Sequence, residues 1–129
     1  MTRRTMPMMT SIISIQSQVV HEHVSNSAAV VPMQTHGLNV ATVPTTLLSN
    51  HPGFETMRGR VLEPELVGDL LRGVEERRLI ETSRYNLSGH LGSRANGEVV
   101  VAFKRARQLN PDITHICDPA TAGGNACPR

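Results

Sequence analysis

The sequence is poor in aromatic residues: its 129 residues include no tryptophan, one tyrosine and two phenylalanines. Its core must therefore be built from valine, leucine, isoleucine, alanine and methionine. Long apolar runs are also missing, because no stretch approaches the ~20 apolar residues of a membrane span and none resembles a secretory signal. We therefore expect a cytoplasmic protein with no membrane partner.

Net charge and cysteine content are low as well. Thirteen basic side chains against eleven acidic ones give a net charge of +2, which is too small an excess to predict binding to nucleic acid. The basic clusters at 77–78 and 104–107 have helical spacing that is typical of a solvated helix face, with a polyanion patch as the alternative. The two cysteines, Cys117 and Cys127, are expected to be reduced thiols.

Short apolar segments alternate with amphipathic stretches along the chain. The predicted strands are 11–15, 38–45, 85–87 and 113–117. The predicted helices are 28–36, ended by Gly37 and kinked or shifted by Pro32, then 63–78, and then about 93–109.

The two later helices each show an apolar face. Four positions of the second helix and four of the third recur at three-and-four spacing and are predicted to face the core: Leu66, Leu70, Leu71 and Val74, then Val99, Phe103, Ala106 and Leu109.

Strands that alternate with helices predict an α/β domain of three layers, with a mostly parallel sheet and crossover helices. We expect this domain to occupy 11–119. Residues 1–10 are predicted to be a flexible N-terminal extension, and the glycine-rich stretch 120–129 a disordered tail.

Polar residues follow the predicted strands, where ligands of parallel sheets bind. The expected edge residues are Gln16, Ser17 and Gln18, then Ser49, Asn50 and His51, then Ser88, Gly89 and His90, and finally Asp118. Because every strand delivers a polar side chain to the same edge, the pattern predicts a small-molecule site there.

Four blocks at these strand ends resemble pyridoxal kinases, vitamin kinases of the ribokinase-like family. They are SIQSQVVHEHVSNSAAVVPMQTHG at 14–37, LLSNHPGF at 47–54, LSGHLGS at 87–93 and CDP at 117–119, in the order and spacing of the family. The resemblance implies the N-terminal part of a ribokinase-like domain, truncated after about the fourth strand. It also implies ATP- and Mg²⁺-dependent phosphorylation of the 5′-hydroxyl of pyridoxal by a homodimeric enzyme.

The resemblance assigns substrate contacts to several residues. Ser17 matches a serine that hydrogen-bonds the pyridine ring, Val24 an apolar wall and His51 a histidine beside the ring. His90 stands where the family usually has a tyrosine that lies against the vitamin.

The remaining carried-over positions lie in the second and fourth blocks. Pro52 replaces a threonine that contacts substrate, and Gly53 follows it in the expected substrate-binding set. Asp118 matches an acidic residue on the ATP and Mg²⁺ side.

No catalytic residue is assigned, because the resemblance stops after Pro119. The family's glycine-rich turn and catalytic aspartate lie near its C-terminus, and neither Asp69 nor Asp112 follows such a turn. Three interpretations stay open. The chain is part of a kinase, a non-catalytic half-domain that binds a pyridoxal-like ring weakly or pairs with a kinase protomer, or the product of a disrupted gene. In each case we expect it to associate through an exposed sheet edge.

A metal site is considered and not assigned. The triplet His21-Glu22-His23 offers imidazole ligands, but no further ligand is fixed by spacing, so polar loop histidines are the alternative that we favour.

Overall fold

The computed structural model describes residues 11–21, 26–50, 53–89 and 96–117. The strands in these segments are β1 (Ser11–Val19), β2 (Asn39–Leu48), β3 (Gly59–Val61), β4 (Ser83–Ser88) and β5 (Thr114–Cys117). The helices are α1 (Asn26–Thr35), α2 (Pro64–Glu76), α3 (Leu79–Thr82) and α4 (Asn96–Leu109). The predicted domain bounds at 1–10 and 120–129 concern residues outside these segments.

The strands form one sheet in the order β3-β2-β1-β4-β5. β1 is parallel to both β2 and β4, and β4 is parallel to β5, so the prediction of a mostly parallel sheet is confirmed. The short β3 is antiparallel to β2 and was not predicted. Its three residues are too few to show a periodic pattern.

The crossovers produce three layers. β1 leads through α1 to β2 on one side, whereas β4 leads through α4 to β5 on the other. Because such crossovers are right-handed, opposite directions of travel place α1 and α4 on opposite faces of the sheet. The three-layer prediction is therefore confirmed.

The main core lies between the sheet and the layer that contains α2 and α4. Alternate residues of β1 point into it, and the buried apolar side chains that form it are Ile13, Ile15, Val43, Val67, Leu71, Ile80, Val99, Ala106 and Ile113.

The predicted core face of α2 is partly wrong. Leu71 is buried and Val74 packs against the core, but Leu66 and Leu70 are 45% and 38% exposed, and Val67 is buried in their place. Positions 67, 71 and 74 also have three-and-four spacing, so the sequence fits two overlapping faces and only packing against the sheet selects one. On α4, Leu109 is likewise exposed.

Helix α1 begins before its proline and ends at the predicted glycine. Pro32 lies inside the helix without shifting its start. Gly37 has a positive φ of 79°, and its N–H donates to the Gln34 carbonyl at 2.9 Å. This left-handed glycine ends the helix as expected.

The expectation of reduced thiols is wrong at Cys117, which is disulfide-bonded. The sequence has one other cysteine, Cys127, which lies outside the described residues. No helix in the described segments is both long and apolar enough to cross a membrane.

Candidate functional site

The carboxyl edge of the sheet has a step between β1 and β4. Pairing of β1 with β2 runs to Val19↔Leu48, and backbone bonds from Val20 and His21 extend it further, whereas pairing with β4 stops at Ile15↔Ser88. The last residues of β1 therefore extend beyond the end of β4 at this edge of the sheet. The connections from β1 to β2 and from β4 to β5 run in opposite directions along the sheet, which leaves a crevice between β1 and β4. Ligands of open α/β sheets bind in such a crevice.

At the base of this step, β1 and β4 are in close contact. The Gly89 N–H donates to the Ile15 carbonyl at 3.0 Å. The Gln16 side chain lies over Gly89, and its Nε2 donates to Ser14 Oγ at 3.0 Å. Gln16 and Ser14 are both buried, so this polar pair is a fixed part of the edge.

Ser17 lies within β1 and is 8% exposed. The prediction that β1 ends at Ile15, before Ser17, is wrong, because the strand continues to Val19 through three further polar residues, Gln16, Ser17 and Gln18. The flanking glutamines are accommodated by polar partners: Gln16 bonds Ser14, and Gln18 Nε2 donates to Ser27 Oγ at 3.0 Å. Ser17 stands at the step, where the pairing of β1 with β2 shifts register between Gln16 and Gln18.

Side-chain hydrogen bonds close the loop between β2 and β3. The Arg58 N–H donates to Ser49 Oγ at 2.9 Å, and Ser49 Oγ donates to Asn50 Oδ1 at 2.6 Å. Asn50 Nδ2 in turn donates to the Thr56 carbonyl at 2.9 Å. The loop is thus tied down beside the end of β1.

A shallow depression of about 720 Å³ lies between this loop and His21. The His21 ring faces Phe54 edge-on, with 6.3 Å between ring centroids. The described residues around it are His21, Ser49, Asn50, Gly53, Phe54, Glu55 and Thr56.

Two of the predicted site residues fall in the described segments. Ser17 is at the step and Gly53 lines the depression, and Ser17 is not among the described residues of that depression. The others lie outside the described segments, so their convergence stays a prediction: Val24, His51, Pro52, His90 and Asp118.

A serine–histidine pair that sequence reasoning missed joins β4 to β5. Ser88 Oγ lies 3.0 Å from His115 Nε2, and the Phe103 ring centroid is 4.0 Å from that of the imidazole. Burial lowers the pKa of His115, and the positive charge of Arg107 lowers it further. A catalytic serine and its histidine base require an oxygen–nitrogen distance of this size. Ser88 is fully buried, however, and no substrate can reach it. The pair is therefore a structural link, and the strand register that creates it leaves no local signal in the sequence.

The described segments do not by themselves form a site for Mg²⁺. No group of three or more histidine, cysteine, aspartate or glutamate side chains in them is placed to hold a metal ion. Asp118, the residue expected on the nucleotide side, is outside them.

Comparison with known proteins finds relatives that match most of this chain. No protein-family model matches the chain. The pyridoxal kinase of Leifsonia xyli is 42% identical over 116 residues, which cover 89% of this chain, and that of Rubrobacter xylanophilus is 44% identical over 110 residues. This chain is related to the pyridoxal kinases.

Solved pyridoxal kinases share its fold. The Trypanosoma brucei enzyme matches with a TM-score of 0.79 at 33% identity, covering 84% of this chain and 41% of that one. The Leishmania donovani enzyme in complex with ADP and pyridoxine matches with a TM-score of 0.78 at 29% identity, covering 84% of this chain and 39% of that one. The ribokinase-like α/β fold is thus confirmed, and the chain spans about two fifths of the length of these pyridoxal kinases.

Proposed function

We propose that this chain supplies the vitamin-binding part of a pyridoxal kinase, which phosphorylates the 5′-hydroxyl of pyridoxal with ATP. The observation that carries the proposal is the position of Ser17, on the central strand at the step of the sheet edge. It is supported by a relative of the same fold that was solved with ADP and pyridoxine.

In this proposal the Ser17 hydroxyl hydrogen-bonds the pyridine ring of the vitamin. Val24, His51 and His90 would surround the ring as an apolar wall and two flat side chains. Pro52 has no hydroxyl, so one hydrogen bond that the resemblance implies is lost, at a cost of about 0.5–1.5 kcal/mol.

The phosphoryl-transfer half is not provided by these 129 residues. The glycine-rich turn that would stabilise the transferred group, and the aspartate that would accept the hydroxyl proton, have no counterpart in the sequence. Asp118 is proposed to face ATP and Mg²⁺. The chain alone is therefore proposed to bind the vitamin weakly and to leave it unphosphorylated.

The proposed setting is the cytoplasm, with a small-molecule substrate and with neither nucleic acid nor membrane as partner. The homodimer that the resemblance implies is proposed as well.

A phosphorylation assay tests whether the chain alone transfers a phosphoryl group to the vitamin. The purified chain is incubated with Mg-ATP and pyridoxine, and pyridoxine 5′-phosphate is measured by chromatography beside a full-length pyridoxal kinase. We expect product from the full-length enzyme and none above background from this chain. Turnover that survives purification, and is lost in Asp118→Ala, would show that the 129 residues hold a complete catalytic site.

A further inference from the structure

Helices α2 and α4 enclose a second cleft, on the face of the sheet rather than at its carboxyl edge. Arg105 on α4 forms an ion pair with Glu75 on α2, and the Glu98 carboxylate lies against Gly68. Both contacts join residues thirty apart in sequence, so the helices run parallel and in register. The cleft between them has a volume of about 1000 Å³.

The inner walls of this α2–α4 cleft carry apolar side chains, two of which are alanines. Leu71 and Val74 line it from α2, and Ala102, Phe103 and Ala106 line it from α4. Alanines facing the opposite helix leave space that larger side chains would fill. The volume and the apolar walls are those of a site for a small organic molecule.

The floor carries one polar group that is not satisfied. Asn86 of β4 lines the cleft beside Ile13 and Ile15, and it is 3% exposed. Its Oδ1 is buried and has no hydrogen-bond partner. Such groups are rare and costly, and a small rotation of the amide about its soft terminal torsion would turn it toward the cleft. A ligand hydroxyl that reaches the floor would supply the missing donor.

The mouth of the cleft is acidic. Six carboxylates line it against three guanidinium groups, although the chain as a whole has a net charge of +2. The acidic residues are Glu65, Asp69, Glu75, Glu76, Glu81 and Glu98, and the basic ones are Arg72, Arg78 and Arg105. A ligand whose outer end is cationic is therefore favoured over one whose outer end is anionic.

We propose that the α2–α4 cleft binds a small aromatic amine with a hydroxyl at the far end of its ring. The hydroxyl donates to Asn86 Oδ1, the ring packs between Val74 and Phe103, and the ammonium group remains among the carboxylates at the mouth. This site is independent of the proposed vitamin site, because the two lie on different parts of the sheet and share none of the residues that line them.

The test is a titration of the full chain, followed by two-dimensional amide NMR, with three probes of one shape. Tyramine carries both the hydroxyl and the ammonium group, phenethylamine lacks the hydroxyl, and para-hydroxyphenylpropionate replaces the ammonium group with a carboxylate. We expect tyramine to shift the amide signals of Gly68 and Ala102 saturably. We expect phenethylamine to bind roughly 2- to 10-fold more weakly, the effect of one neutral hydrogen bond, and the carboxylate to bind weakest of the three.

Two variants assign the hydroxyl contact. Asn86→Leu should bind tyramine no more tightly than phenethylamine, because the ligand hydroxyl loses its acceptor. Thr46→Val should keep the wild-type ratio, because Thr46 carries a similarly buried, unpaired hydroxyl outside the cleft. If Asn86→Leu does not fold, the order in which the wild type binds the three probes still tests the proposal. Equal binding of tyramine and the carboxylate, or no saturable shift at Gly68 and Ala102, would overturn the proposal.

Discussion

The side chain of Gln16 on β1 occupies the space that a β-carbon at position 89 would need. An ideal Cβ at Gly89 would lie 2.7 Å from Gln16 Cδ and 2.8 Å from Gln16 Cγ, closer than non-bonded carbons approach. Gln16 is held in place because its amide donates to the buried Ser14 hydroxyl. The glycine after β4 and the glutamine of β1 are therefore a matched pair at the step where we place the vitamin site.

This relationship predicts a specific coupling between two substitutions. Gly89→Ala should force Gln16 away from Ser14 and destabilise the fold by about 1–3 kcal/mol, the usual cost of overpacking. In Gln16→Ala/Gly89→Ala the space is available again, so the double variant should be more stable than the sum of the single effects predicts. Urea unfolding of the four proteins measures this, and strictly additive effects would show that the two residues are independent.

The turn into β3 depends on glycine at position 59. Gly59 has a φ of 127°, and a Cβ there would lie 2.7 Å from the Leu48 Cα of the paired strand. We expect Gly59→Ala to destabilise the protein by about 1–3 kcal/mol.

The matched control for that substitution lies on α2. Gly73 is inside the helix, and a Cβ there would have no atom within 4 Å beyond its chain neighbours and the helix's own backbone, so Gly73→Ala should stabilise the protein by about 0.5–1 kcal/mol. Thermal unfolding compares the two variants. The same sign of effect for both would contradict the strained backbone at Gly59.

The sequence predicts the architecture well and the details at strand ends poorly. Alternation of apolar strands with amphipathic helices is enough to predict a parallel three-layer sheet, and the glycine at position 37 ends α1 as its chemistry requires. The core face of α2 cannot be predicted from its sequence alone, because Leu70 and Leu71 are equally apolar. Packing against the sheet buries Leu71 and leaves Leu70 exposed.

The candidate site shows the same division. The polar character of Ser17 predicts a residue that follows a strand. β1 nevertheless continues through it, because the side chains of the neighbouring glutamines hydrogen-bond Ser14 and Ser27. The Ser88–His115 contact depends on strands that pair across 27 residues of chain, which no local pattern encodes. Long-range register is the information that the sequence pattern lacks.

Stability should fall on mild acidification because of His115. Burial lowers the pKa of His115 in the folded protein below its ordinary value of 6.5. The unfolded chain therefore takes up a proton where the folded chain does not, so stability is constant above that value and decreases as the pH drops below it. Urea midpoints measured between about pH 8 and pH 5 follow this effect.

Substitution of this histidine tests the assignment. His115→Gln should flatten the acid side of the profile. A wild-type profile with no decrease below neutral pH, or an equal slope in His115→Gln, would contradict the role of His115.

The edge at β5 is predicted to drive self-association. Within the described sheet, β5 pairs with β4 alone, and Ile116 on it is 43% exposed. Unpaired apolar strand edges pair readily with other chains. Size-exclusion chromatography with light scattering should show oligomers that increase with concentration. They should decrease in Ile116→Lys but not in Val31→Lys, where an exposed valine of α1 is changed. A monodisperse monomer at every concentration would contradict this.

The central claim is that Ser17 contacts a B6 vitamer at the carboxyl edge of β1, and a binding titration tests it most directly. Ligand-observed NMR measures the affinity of the full chain for pyridoxine, chosen because the aldehyde of pyridoxal can react with Lys104 or the N-terminus. Ser11→Ala is the matched control, since Ser11 is a buried serine at the opposite end of the same strand. We predict millimolar binding that Ser17→Ala weakens roughly 2- to 10-fold and Ser11→Ala leaves unchanged. Equal binding by the wild type and Ser17→Ala, or no binding by either, would contradict the account.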